Sequence, residues 1–187
     1  MNEVLRVIKE RYSCRNYKSD FVEREKLDAI ALAGIQSPSA MNRQPWEILV
    51  ITDKNFIEEL DLDAMKILAE AEDKTTYERI MSRGGKVFYN APAMFLILKH
   101  PISTLAGLDC GIVSENIALA ASSLGLGNVI CAMANIPFQG SRGAEFKEKV
   151  SWPDGLEFGM AVLVGYAKET KEPHEVDMGK IRYIEIT

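Results

Sequence analysis

The sequence predicts a single domain that mixes α-helices with a β-sheet, and three observations carry that expectation. Four apolar runs, Trp46 to Ile51, Ala93 to Leu98, Asn128 to Met133 and Phe158 to Val164, have the length of buried strands and are bounded by turn residues. Patterns of helical period stand between and before them, the clearest being Val22 to Gln36, where Leu27, Ile30, Ala31 and Gly34 share one face. Asp109 to Leu124 differs from these, because Ile112, Val113, Ile117, Leu119 and Leu124 occupy nearly the whole helical circumference. A helix apolar all round must be buried all round, in the protein's own centre or against a second copy of the chain.

Composition bounds the rest. The 187 residues suit one domain, 1–187, with a real core, since a chain of this length buries about 70% of its unfolded surface. Lys and Arg number 22 against 27 Asp and Glu, and the resulting charge of -5 argues against a general binder of nucleic acid or of anionic membranes. Any anionic ligand must then be held by a local basic cluster. Cys14, Cys110 and Cys131 are odd in number and far apart, which suits reduced thiols, and with His100 and His174 they make no metal motif. No signal sequence opens the chain and no apolar run approaches a membrane span, so the expected location is cytoplasmic.

In chain order, Asn2 is a plausible cap for a helix whose apolar face carries Val4, Leu5 and Ile8. It ends near Arg11-Tyr12-Ser13-Cys14-Arg15. If that segment is extended, Arg11, Ser13 and Arg15 point the same way and could form a phosphate or carboxylate site; otherwise the two arginines only complement the helix end. After the second helix, Ser37-Pro38-Ser39-Ala40-Met41-Asn42-Arg43-Gln44-Pro45-Trp46 combines two prolines with hydroxyl and amide side chains. Such a loop can read a flat polar ligand edge, or it can simply connect helix to strand while satisfying its own backbone. Thr52-Asp53 could cap a helix from Lys54 to Leu60. Residues 61–83 read as a charged helical excursion, part of a possible lid over 61–90, or as a solvated surface helix. Gly84-Gly85 breaks it and Ala91-Pro92 turns the chain into the second strand. Gly125-Leu126-Gly127 ends the apolar helix, Trp152-Pro153-Asp154-Gly155 is a turn, and Gly165-Tyr166 ends the last strand. The tail from Lys180 to Ile186 alternates weakly, placing Lys180 and Arg182 on one face. There is no internal repeat and no domain boundary.

Arg11-x-Ser13-x-Arg15, the loop Ser37-Pro38-Ser39-x-x-Asn42-x-Gln44-Pro45-Trp46, the segment Asp109 to Gly127 and the ending Gly165-Tyr166 together resemble the flavin-dependent nitroreductase family. One such match alone is weak, but the conjunction runs through nearly the whole chain. The resemblance implies an α+β fold, with a central mixed, mostly antiparallel sheet surrounded by helices, in an intertwined homodimer. It also implies one FMN in each of two sites at the subunit interface.

On that resemblance, Arg11, Ser13 and Arg15 serve the FMN phosphate and ribityl side, and Lys180 and Arg182 look like the basic pair that completes the phosphate site. Pro38, Ser39 and Asn42 look like residues reaching the isoalloxazine from the partner subunit, with Gln44 nearby. The strand Ile130-Cys131-Ala132-Met133 is expected to pass the other side of the ring, with backbone groups at Cys131 and Ala132 facing its polar edge. Relatives often carry Gly or Glu-Gly near there, so the contact to flavin N5 stays open. Cys131 itself reads as a small hydrophobe or as a redox thiol. The implied reaction is ping-pong: NADH or NADPH reduces the flavin, and a small planar acceptor such as a nitroaromatic or quinone then takes the electrons in the same pocket. No His, Asp or Glu stands out as a general acid, and no catalytic side chain is expected. Other chemistry on the same flavoprotein, such as reductive dehalogenation or flavin breakdown, is an alternative, as is a flavin-binding dimer without catalysis.

Overall fold

The structure is a computed structural model that describes residues 1–186. In chain order its elements are α1 (Glu3–Glu10), α2 (Arg24–Ile35), β1 (Trp46–Ile51), α3 (Lys54–Glu70), α4 (Thr75–Met81), β2 (Ala93–Lys99), α5 (Ala106–Ser123), β3 (Gly127–Ile130), α6 (Ile136–Gln139), α7 (Gly143–Lys149) and β4 (Glu157–Gly165). The strands pair in the order β1-β2-β4-β3, every pair antiparallel, and helices cover both faces, giving the α+β architecture expected. Among the described residues, a parallel element enters only as a single bridge between Ser13 and Asn128.

The central strands explain the layering. From Ala93 to Leu98 every residue of β2 is at most 1% exposed. Phe95 and Ile97 pack with Val113 and Ile117 of α5 on one face, whereas Met94, Leu96 and Leu98 pack with Leu60, Phe138 and Phe146 on the other. A strand covered on both faces must be apolar at every position, which is why it reads as an unbroken run. Each such side chain contributes about 1.5–3 kcal/mol relative to exposure. The caps read from sequence are present: Asn2 Oδ1 accepts from Leu5 N–H at 3.0 Å, and Asp53 Oδ1 accepts from Asn55 and Phe56 N–H at 2.9 and 3.1 Å.

The structure corrects several expectations. The third strand stops at Ile130, because Ala132–Asn135 turns into a 3-10 helix before α6, so Ala132 and Met133 are not strand residues. The helix after Asp53 runs on to Glu70 instead of ending at Leu60, since Leu60, Asp61 and Ala64 continue its buried face. Within 61–90, the part from Val87 to Tyr89 belongs to the main core, as does Ile80 of α4, while the rest of α4 and its flanking turns is largely exposed or half-buried. The tail from 181 to 186 forms no strand, having no neighbour to pair with among the described residues. Val4, Leu5 and Ile8 are not the buried face of α1; they are 63, 52 and 50% exposed and Val7 is buried instead. In α5, Val113, Ile117, Ala118 and Ala121 are sealed in this chain's own core, whereas Leu124 keeps 36% of its surface open in the single chain.

Candidate functional site

The chain leaves α1 at Arg11 in an extended conformation and runs beside β3. Cys14 N–H donates to Asn128 C=O at 2.8 Å, Lys18 N–H to Tyr166 C=O at 2.7 Å, and Lys168 N–H to Asn16 C=O at 3.0 Å. The segment is thus wedged between β3 and the chain beyond β4. Cys14 and Tyr17 point into the core, and the approach is so close that a Cβ on Gly127 would lie 2.8 Å from Cys14 Sγ. Alternation along an extended chain then turns Ser13 and Arg15 away from the core. Arg11 Nε lies 3.8 Å from Glu115 Oε1 of α5.

Of the three residues expected to converge, Arg11 and Arg15 line different clefts and Ser13 lines neither of these two. Arg11 lines a cleft of about 470 Å³ with Lys18, Asn128 and Tyr166. Arg15 lines another of about 690 Å³ with Arg83, Lys86, Tyr89 and Asn90, and Lys171 borders both. Arg83, Lys86 and Lys171 were not singled out by the sequence. The signal available for two of them was cations flanking Gly84-Gly85 just ahead of a buried strand, a pattern that a charge run on a surface helix conceals. Lys86 pairs with Glu58, and its Nζ is 3.6 Å from Asp61 Oδ2. Asp61 is buried and accepts Phe88 N–H at 2.8 Å. Its burial raises the carboxyl above its ordinary range, against the opposing pull of that N–H and of Lys86.

Cys131 is buried, and its N–H donates to Ala161 C=O at 2.8 Å, while Ala132 is exposed at the start of the 3-10 turn. Burial pushes the Cys131 thiol up to about 11, although backbone hydrogen bonds and nearby Arg15 pull the other way. A thiol so placed is neutral and inert near pH 7, which favours the hydrophobe over the redox thiol.

The loop from Ser37 to Trp46 is built differently. Met41, Asn42 and Gln44 have φ of 56, 52 and 47°, the left-handed region. Ser39 Oγ accepts Gln44 N–H at 2.8 Å, and Asn42 Oδ1 accepts from Gln44 Nε2 at 3.2 Å. Those bonds use acceptors, so among the described residues the Ser39 hydroxyl hydrogen and the Asn42 side-chain amide hydrogens remain as free donors. Two residues of α5 hold the loop: Asn116 Nδ2 donates to Ser37 Oγ at 2.9 Å, and Asp109 Oδ1 accepts Ala40 N–H at 3.2 Å. Pro38 is exposed beside them. Asp109 stands in the first turn of α5 and Ser122, which lines the Arg11 cleft, roughly 20 Å further along the helix axis, while Arg11 at Glu115 and Ser37 at Asn116 meet the middle of the helix. Lys180 and Arg182 are exposed, with no side-chain ion pair among the described residues.

The fold is α+β, and each of the two clefts is lined by more cations than carboxylates. The chain belongs to the Nitroreductase family, whose sequence profile matches residues 8–166. Among solved structures, it is similar to a nitroreductase with bound FMN from Desulfitobacterium hafniense DCB-2, at 45% identity and a TM-score of 0.95 over 99% of this chain and 100% of that one. An Archaeoglobus fulgidus protein with the provisional name NADH dehydrogenase/NAD(P)H nitroreductase is 28% identical over 183 residues, 95% of this chain and 92% of its own. The iodotyrosine deiodinase of Thermotoga neapolitana is 23% identical over 187 residues, 94% of each chain.

Proposed function

We propose that this chain is an FMN-dependent oxidoreductase that passes electrons from NADH or NADPH to nitroaromatics, quinones or similar small planar acceptors, working as a homodimer. The observation that carries this reading is the set of cations, Arg11, Arg15, Arg83, Lys86 and Lys171, around two adjoining clefts of a chain whose net charge is -5. A dianionic phosphate leaving water needs charge-assisted partners to offset a cost of several kcal/mol. Arg11 and Ser13 would supply them, with Lys180 and Arg182 brought in by the tail.

FMN, when bound, supplies the capacity to take up a hydride and hand on electrons. The residues do the rest. Arg15 and Lys86, sharing one cleft, would favour negative charge on the flavin's pyrimidine edge, where fixed cations in a partly desolvated site act most strongly. The free donors of Ser39 and Asn42 suit ring acceptors, with Pro38 and Gln44 shaping the loop, and the backbone at Cys131 and Ala132 would border the ring's other side.

Neither cleft is lined by a residue of the loop from Ser37 to Trp46, and this argues for a second copy. The exposed Val4, Leu5, Ile8 and Leu108 suit such an interface. Three free, buried thiols suit a reducing cytoplasm. Among the described residues no helix is long and apolar enough to cross a membrane.

The test is the absorbance spectrum of the purified protein, followed by anaerobic addition of NADH or NADPH. A yellow protein bleached by either donor is the expected result. Failure to hold added FMN ends the reading, and a yellow protein that neither donor bleaches ends the reductase half of it. The 23% identical deiodinase motivates one rival, reductive dehalogenation, which halide release from an iodinated phenol under the same conditions would reveal.

A further inference from the structure

The loop from Ser39 to Gln44 holds its shape against local preference. Of its left-handed residues Met41, Asn42 and Gln44, only Asn is at ease there, and such a backbone persists where the surroundings over-determine it. The bonds between Gln44 and Ser39 and between Gln44 and Asn42 lie inside the loop and would move with it. Asn116 holds Ser37 before the strained part and His100 N–H donates to Pro45 C=O after it, and between them the tie to the body is Ala40 N–H donating to Asp109 Oδ1.

Asp109 is unusual in its own right. It is 3% exposed, and its second oxygen is shut off from solvent with no donor among the described residues. A carboxylate in the first turn of a helix often complements the helix dipole, but such a residue normally stays in water. Here it is withdrawn from water and directed at the backbone of another segment. A residue selected for packing alone would be apolar at this place, because burying a half-satisfied carboxylate is unfavourable.

We propose that Asp109 is the positioning residue of this loop, fixing the strained turn so that Ser39 and Asn42 present their free donors in one arrangement. What those donors meet rests on the flavin reading above. A loop already in its bound shape loses little entropy when the ligand arrives, so the anchor acts on affinity more than on the fold.

Wild type, Asp109→Ala and Asp109→Asn, all freed of flavin, are compared by amide hydrogen exchange over residues 38–46 and then titrated with FMN by fluorescence. Asn keeps a carbonyl acceptor for Ala40 N–H. The Ala variant should exchange its Ala40 to Gln44 amides at least about tenfold faster and bind FMN about tenfold more weakly, at an unchanged melting temperature. The Asn variant should recover both to within about threefold of wild type. If the Ala variant does not fold, Asp109→Ser, whose hydroxyl is too short to reach Ala40, takes its place. Unchanged loop exchange overturns the proposal, as does an Asn variant no better than the truncated one, or a loss of protection spread through α5 and β1. Should wild type take up no FMN, the flavin reading falls separately, while hydrogen exchange still decides whether Asp109 holds the loop.

Discussion

Two buried carboxylates do similar work at two places. Asp61 accepts Phe88 N–H just ahead of Tyr89 and Asn90, whose φ are 54 and 57°, and Asp109 accepts Ala40 N–H just ahead of Met41 and Asn42. Both therefore anchor a left-handed turn that local preference resists. They differ in what else they meet. Asp61 has Lys86 3.6 Å away, whereas Asp109 Oδ2 has no donor among the described residues. The wall of the Arg15 cleft is thus completed by its own chain, and the loop is not.

That contrast can be broken most forcefully on the finished side. Replacing Arg11 and Arg15 together by Ala should cost FMN affinity about 3 kcal/mol or more, from charge-assisted bonds worth about 1.5–3 kcal/mol each. The fold should hold, since Arg15 is exposed and Arg11 makes only a long contact to Glu115. Calorimetric titration that finds unchanged affinity would remove Arg11 from the phosphate and Arg15 from the flavin edge. Gly127→Ala should come next, at about 1–3 kcal/mol of stability by urea unfolding, because its methyl would meet Cys14 Sγ at 2.8 Å and Cβ at 2.9 Å. It should also weaken FMN binding, as the segment bearing Ser13 and Arg15 is forced off β3. Wild-type stability would mean that the segment is not held by this close approach.

The sequence was most legible where one cause acted. The four strands, the caps at Asn2 and Asp53 and the burial of Cys131 follow from apolar runs and local hydrogen bonds. Legibility failed where an outcome depended on a distant neighbour. Arg11 and Arg15 have the right alternation, yet the walls beside them, α5 and the turn at 83–90, send them into different clefts. The pairing of Lys86 with Asp61 lay hidden because it joins a residue inside the charge run to one beyond Gly84-Gly85, 25 positions apart (86 minus 61). Val4, Leu5 and Ile8 form a helical stripe that the chain does not cover, and a periodicity argument cannot say whose core an apolar stripe faces.

The smallest effect expected is also the one that best separates the two anchors. Burial raises the folded-state carboxyl of Asp61, with Phe88 N–H and Lys86 opposing, so its ionised form is harder to accommodate in the fold than in the unfolded chain. A group whose folded value lies above its unfolded value favours the fold fully only below the unfolded value, near 3.9 for Asp by the ordinary scale of about that figure, and loses that contribution as pH rises through the folded value. Asp61→Asn accepts the same Phe88 N–H and does not titrate there. Stability of wild type relative to this variant should therefore decline as pH is raised from about 3.9 upward and level off once Asp61 is fully ionised. Urea midpoints of both proteins at matched pH values measure the difference directly. A difference that instead grows with pH would mean that Lys86 and the Phe88 amide outweigh burial, and that the finished anchor is held by charge rather than tolerated for its geometry.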